Sequence, residues 1–208
     1  GTIEPIDPVR FIGNRSSGRM GVAIAEAALD RGAAVTLIVA DVAVAVPDRA
    51  TIVRTESAAD MERALASEVA SGFDALVMAA AVADFRPSRP VDRKLERAAG
   101  LTLELEPTPD LLAGVAVAVG ALTPRPVLVG FAAETGSLDR APDKLRRKGL
   151  DLLVANDVSE PGSGFGTDTN RVTILTADGS SEALPILSKR DVADRLLDRV
   201  ARRLMERP

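Results

Sequence analysis

With 208 residues the chain is long enough for one domain with a substantial core. Its 26 Lys and Arg against 30 Asp and Glu leave a net charge of -4, which argues against a general nucleic-acid or membrane-surface binder. The absence of His, Cys and Tyr removes disulfides, thiol chemistry, catalytic triads and the commonest metal ligands. Chemistry must then fall to Lys, Arg, Asp, Glu, Asn, Ser, Thr, backbone amides and a hard cation held by oxygens, a set suited to phosphates. With no signal peptide or long apolar span, a cytoplasmic location is expected.

The first informative stretch is RFIGNRSSGRMG, residues 10–21. Gly13, Gly18 and Gly21 permit turns and close approaches, Asn14, Ser16 and Ser17 are small and polar, and Arg10, Arg15 and Arg19 carry positive charge. Apolar spacing through Met20, Ile24, Ala27 and Ala28 predicts a helix over 20–31, ended by Gly32, whose unpaired amides point back at this loop. An anion site and an ordinary glycine turn flanked by solvated arginines are both compatible with these residues, and the stretch matches neither G-x-G-x-x-G nor the Walker loop. No strand is expected ahead of it, which suggests that a first strand and an upstream domain are missing.

Strands are expected at 35–40 and 51–54, a helix at 58–70 closed by Gly72, and a strongly apolar strand at 75–81. Asp84 follows just beyond that strand's carboxyl end, where open α/β sheets bind ligands. Residues 86–100 read as a mobile excursion carrying Lys94, followed by a strand at 101–105. Thr108-Pro109 predicts a helix N-cap and first position, with the helix running to Val119. A strand at 127–131 leads to a helix capped by Ser137 and running to Lys148, where Lys144 and Lys148 share one face. By themselves these two lysines read as positive charge placed at a helix C-terminus. A strand at 150–155 places Asn156 and Asp157 past its end, and 161–170 reads as a flexible loop around Phe165. A strand pair at 171–175 and 184–187 surrounds the turn Asp178-Gly179, and an amphipathic helix spans 189–205. The alternation predicts a single α/β domain, residues 1–208, with a Rossmann-like three-layer sandwich, a mostly parallel sheet and a C-terminal strand pair.

Six segments in order, GTIEPIDPVRFIGNRSSGRMG, AAAVADFRP, TPDLL, GFAAET, the Lys144/Lys148 helix and LVANDV with the Gly-rich loop, resemble the bacterial phosphopantothenoylcysteine synthetases (phosphopantothenate-cysteine ligases). The resemblance implies that CTP activates 4'-phosphopantothenate as an acyl-cytidylate and that cysteine then displaces CMP. It further implies magnesium, a homodimer, and an upstream flavin-dependent decarboxylase domain that would hold FMN. By the same resemblance Asn14, Lys94 and Arg10 are catalytic, and Gly13, Ser16, Ser17 and Gly18 form the phosphate or acyl-phosphate loop. CTP would be bound by Met78, Ala79, Ala80, Asp84, Lys94, Thr108, Pro109, Asp110, Leu111, Phe131, Lys144 and Lys148, with Asp84 at the cation. The chain departs from the family's K-x-K-K motif, reading Lys94-Leu95-Glu96-Arg97. Two rival functions share the fold class: a nicotinamide-dependent oxidoreductase, which lacks its Tyr and its glycine fingerprint here, and a non-catalytic nucleotide-binding module.

Overall fold

The computed structural model describes residues 1–97 and 100–207. The first half contains β1 (Ile3–Pro5), β2 (Phe11–Gly13), α1 (Arg19–Asp30), β3 (Thr36–Val39), β4 (Thr51–Arg54), α2 (Ala58–Ser71), β5 (Ala75–Met78), β6 (Phe85–Pro87) and β7 (Leu105–Pro107). The second contains α3 (Leu111–Val119), β8 (Val127–Glu134), α4 (Ala141–Arg147), β9 (Leu152–Asp157), β10 (Thr169–Asn170), β11 (Thr173–Thr176), β12 (Ser181–Ala183), β13 (Leu187–Ser188) and α5 (Lys189–Met205).

Strands β5, β8 and β9 run parallel and β11 and β12 extend the sheet antiparallel, in the order β12-β11-β9-β8-β5, while β3 and β4 form a further parallel pair. Because successive strand side chains point to opposite faces, each central strand feeds two cores. Val127, Val129, Leu152, Val154 and Ile174 pack against α1 and α5, whereas Leu128, Leu153, Ala155 and Leu175 pack against α2, α3 and α4. Helices thus cover both faces and the expected three layers are present. Leu128 is fully buried between them, and its truncation to Ala would cost about 2–5 kcal/mol.

Several boundaries differ from expectation, each for a physical reason. A strand does precede the first loop: β1 and β2 form an antiparallel hairpin that crosses the carboxyl ends of β3, β4 and β5. Its backbone is fixed there by Asp41 N to Gly1 O at 3.0 Å, Ile3 N to Glu56 O at 2.9 Å and Thr2 N to Ala81 O at 3.2 Å. The excursion at 86–100 is the outer part of a second hairpin, β6 paired with β7, so the strand expected at 101–105 lies instead at Leu105–Pro107. Ala98 and Ala99, in the same stretch, lie outside the described residues. Asp110, not Thr108, caps α3, accepting Ala113 N at 3.2 Å, because the Thr108 hydroxyl is taken by Ala83 O at 2.5 Å.

Ser137 caps only a local turn, its hydroxyl accepting Asp139 N at 3.1 Å, and α4 starts four residues later with Pro142 in its first turn. Asn156 and Asp157 belong to β9, opposite Ala133 and Glu134 of a β8 that runs three residues longer than expected. The C-terminal strand pair is present as β11 and β12, while Leu187 and Ser188 pair with β10 instead. The loop 161–170 is tied down: the buried Lys189 ammonium donates to Gly164 O at 3.2 Å and to Thr167 O, and buried Ser163 bonds Asn170 at 2.8 Å.

Candidate active site

The apolar run of β5 ends at Met78, and the chain then turns through Ala79 to Asp84 at the sheet's carboxyl edge. Three other segments meet it there. The loop before α1 contributes Asn14, whose side-chain amide donates to Val82 O at 3.0 Å. The residue just before β1, Thr2, contributes a hydroxyl that accepts Ala83 N at 2.9 Å. The approach to α3 contributes Thr108, bonded to Ala83 O by its hydroxyl and to Asp84 O by its amide at 3.0 Å. The three carbonyls of 82–84 and the Ala83 amide are therefore engaged, and the exposed Asp84 carboxylate has no hydrogen-bond or ion-pair partner among the described residues.

Gly18 is the N-cap of α1 at φ 74, a left-handed conformation that suits glycine, and a Cβ there would overlap Val42. No side chain caps this helix and its first turn holds no acid, so its dipole end is not neutralised from within. Ser16 folds the loop on itself, its amide donating to Asn14 O at 2.8 Å and its hydroxyl accepting Gly18 N at 3.4 Å. Gly13 ends β2, and Ser17 O accepts Ala43 N at 3.1 Å, tying the loop to the segment after β3.

The cations are held by carboxylates. Lys148 sits 2.9 Å from Asp110, whose carboxyl burial would raise but which the lysine and Ala113 N pull below its ordinary range. Lys144 and Arg140 flank Glu134, whose side chain is only 4% exposed. Burial pushes that carboxyl up, and Lys144 and then Arg140 outweigh it, so its pKa is lowered. Lys144 and Lys148 thus reach the carboxyl end of β8 and the N-terminus of α3 respectively, beyond their service to the end of α4. Arg10 contacts Asp7 at 2.5 Å, and both groups bond the backbone of Leu95, next to Lys94.

Not every expected residue opens on this edge. Leu111 is buried in the core under α3, Phe131 packs partly into the core under α1 and α5, and Met78 and Ala80 pack against the α2–α4 side. These can shape the floor, with their backbone atoms as the polar groups. Pro109 is exposed just before the Asp110 cap. The Lys94 side chain is exposed and free of ion pairs among the described residues. Sequence reasoning assigned no role to Thr2, Glu4 and Asp7, all buried. Glu4 accepts Ala58 N at 2.8 Å, at the start of α2. The signal available was Thr2 and Glu4 two residues apart, the period of a strand whose inward face is polar.

A mostly parallel α/β sheet with helix N-termini, polar turns and paired cations along one carboxyl edge defines a Rossmann-like domain, whose carboxyl edge is where open α/β sheets bind ligands. The chain belongs to the family described as the DNA/pantothenate metabolism flavoprotein C-terminal domain, whose model matches residues 1–204. The coenzyme A biosynthesis bifunctional protein CoaBC of Bacillus subtilis (strain 168) is 46% identical over 203 residues, covering 96% of this chain and 49% of that protein. The CoaBC of Mycobacterium tuberculosis (strain ATCC 25618 / H37Rv) is 48% identical over 210 residues, covering 96% and 50%. The crystal structure of the C-terminal domain of a CoaBC superposes with a TM-score of 0.80 at 37% identity, covering 99% of this chain and 92% of that one. The chain spans about half the length of the curated relatives it matches.

Proposed function

We propose that the chain catalyses CTP-dependent ligation of 4'-phosphopantothenate with L-cysteine, the synthetase step of coenzyme A biosynthesis. In the first half-reaction a carboxylate oxygen of phosphopantothenate bonds to the α-phosphorus of CTP, and the bond to the β-phosphate breaks to release pyrophosphate. In the second, the cysteine nitrogen bonds to the acyl carbon, the acyl–phosphate bond breaks, and CMP and a proton leave. The observation that carries this reading is the meeting of Asn14, Thr108 and the 82–84 turn on one carboxyl edge, with Lys144 and Lys148 alongside. Family membership favours this reading over the oxidoreductase and the non-catalytic module.

Within this reading the loop of Gly13, Ser16, Ser17 and Gly18 receives phosphate oxygens, and Asn14 holds an acyl oxygen without titrating. Lys94, Arg10, Lys144 and Lys148 neutralise charge that develops on the triphosphate. Thr108 to Leu111, Met78 to Ala80 and Phe131 frame the nucleotide. Among the described residues no group of three or more carboxylates could cage a metal ion. A single exposed carboxylate, Asp84, suits magnesium carried in on phosphate oxygens, where the ion would offset charge at the reacting phosphorus. No helix among the described residues is long and apolar enough to cross a membrane, and we place the reaction in the cytoplasm. The family's flavin chemistry belongs to an upstream decarboxylase half, and no residue here is assigned to FMN.

The test is pyrophosphate release with 4'-phosphopantothenate and magnesium, comparing CTP with ATP and adding or omitting cysteine. Release with CTP before cysteine, then CMP on adding it, is expected. Pyrophosphate release that requires cysteine from the outset would contradict the two-step order, and release with neither nucleotide would contradict the reading itself.

A further inference from the structure

Asp7 has no exposed side-chain surface, yet every lone-pair direction of its carboxylate is used. Oδ1 accepts Val9 N and Arg10 N at 2.8 Å each, which closes the β1–β2 turn and needs nothing further from the residue. Oδ2 does something else: it accepts the Arg10 guanidinium at 2.5 Å and Leu95 N at 3.0 Å, across 88 residues of sequence. The same guanidinium donates to Leu95 O at 3.2 Å, so Leu95 is gripped at both its N–H and its C=O. Val91 N to Ile6 O at 3.0 Å adds a second tie between the same two segments. Burial pushes the Asp7 carboxyl up, but the amides of Leu95, Val9 and Arg10 and the guanidinium more than offset it and hold it down at about 2. The carboxylate is therefore charged wherever the protein is folded at ordinary pH.

We infer that Asp7 is a positioning residue for the activation step, one anion that sets the Arg10 guanidinium and the backbone carrying Lys94 in a single arrangement. Lysine is a point charge on a flexible four-carbon stem, so its placement is decided by where its backbone is held. Exposed Lys94 has its backbone neighbour fixed by Asp7 and Arg10, while its own ammonium has no ion-pair partner among the described residues. The catalytic half of this inference rests on the ligase reading; the mechanical half does not.

Two measurements separate them. Trypsin cleaves after Lys94, at the very peptide whose N–H Asp7 accepts. Asp7→Asn puts an amide donor against two donors, and cleavage there should accelerate about tenfold or more while the rest of the chain keeps its pattern. Arg10→Ala, which leaves the carboxylate in place and frees Leu95 O, is the second variant, and about threefold acceleration is expected. Unchanged cleavage in the folded variants overturns the coupling, whatever the enzyme does. In the kinetic arm Asp7→Asn should lower kcat for pyrophosphate release about 10–100-fold with a smaller change in KM for CTP. The double variant Asp7→Asn/Arg10→Ala should be no slower than Arg10→Ala by more than about twofold. Rate losses that multiply would make Asp7 a turn residue only. A wild-type chain that releases no pyrophosphate would sink the ligase reading and leave the proteolysis to decide the coupling.

Discussion

Lys94, without an ion-pair partner among the described residues where Lys144 and Lys148 have theirs, is free to follow a substrate. Lys94→Gln keeps length and polarity but removes the charge, and pyrophosphate release should fall by at least about 10²-fold, the scale of one preorganised electrostatic contact. Near-normal release would show that the charge acts elsewhere. Asn14 spends its amide on Val82 O, leaving its side-chain oxygen as the remaining polar atom. Asn14→Asp should let activation proceed while CMP release on adding cysteine drops about 10²-fold, so that the acyl-cytidylate accumulates in a quench assay. Glu134 makes a different, pH-dependent prediction. Its folded pKa is lowered, so its contribution to stability is present above the ordinary carboxyl range and is lost as pH falls through the lowered value. Glu134→Gln should accordingly flatten the acid limb of a melting-temperature profile below about pH 4.5 and weaken CTP binding by releasing Lys144. At this scale the motif strings singled out Asn14 and Thr108, which bond the 82–84 turn, and Lys144 and Lys148, which pair with Glu134 and Asp110. Asp7 was not, because its reach to Leu95 depends on two hairpins meeting, which no local pattern encodes.

Elements were legible where period and stop signals agreed. α2 was legible from the helical spacing of its apolar residues and from Gly72 at its end, to which the structure adds a Ser57–Asp60 capping box, and α5 from a long apolar stripe, Val192, Leu196, Leu197 and Val200. β6 and β7 escaped because each is three residues long, ends in proline and finds its partner across the intervening excursion. In the loop 161–170 the glycines suggest mobility, and the ties the structure adds, from the Lys189 ammonium and between Ser163 and Asn170, are set by residues that no local pattern links. Lys189 lies among the carbonyls of Gly164, Thr167 and Thr169, and desolvation, then Arg19, lower its pKa against the pull of Asp168. Lys189→Met should leave those carbonyls without their donor and lower stability by about 1–3 kcal/mol in urea unfolding, with faster amide exchange confined to 162–170. Exchange that rises evenly across the chain would contradict a local role.

Six of the eleven exposed large apolar side chains among the described residues lie on the two hairpins and the segment between β6 and β7. Val9, Phe11, Phe85, Leu101, Leu103 and Leu105 remain 37–60% exposed, and β1 packs beside β6. Large apolar side chains exposed in such numbers on neighbouring elements point to an interface. A second copy of the chain is the occupant that the family resemblance implies, and the homodimer we propose would bury this face close to Asp84 and Arg10. Each of these leucines would contribute about 1.5–3 kcal/mol if fully buried across such an interface. Leu105 lies in β7, opposite Pro87 and away from the 82–84 turn, so a charge there tests association without entering the candidate site. Leu105→Asp should convert a dimer into a monomer by sedimentation equilibrium at micromolar concentration, with circular dichroism and the melting of the two helical cores retained. Pyrophosphate release should fall with the dimer fraction if the partner helps to close the site. A wild-type chain that sediments as a monomer, or a variant that still dimerises, would place the interface elsewhere and leave these six side chains without that explanation.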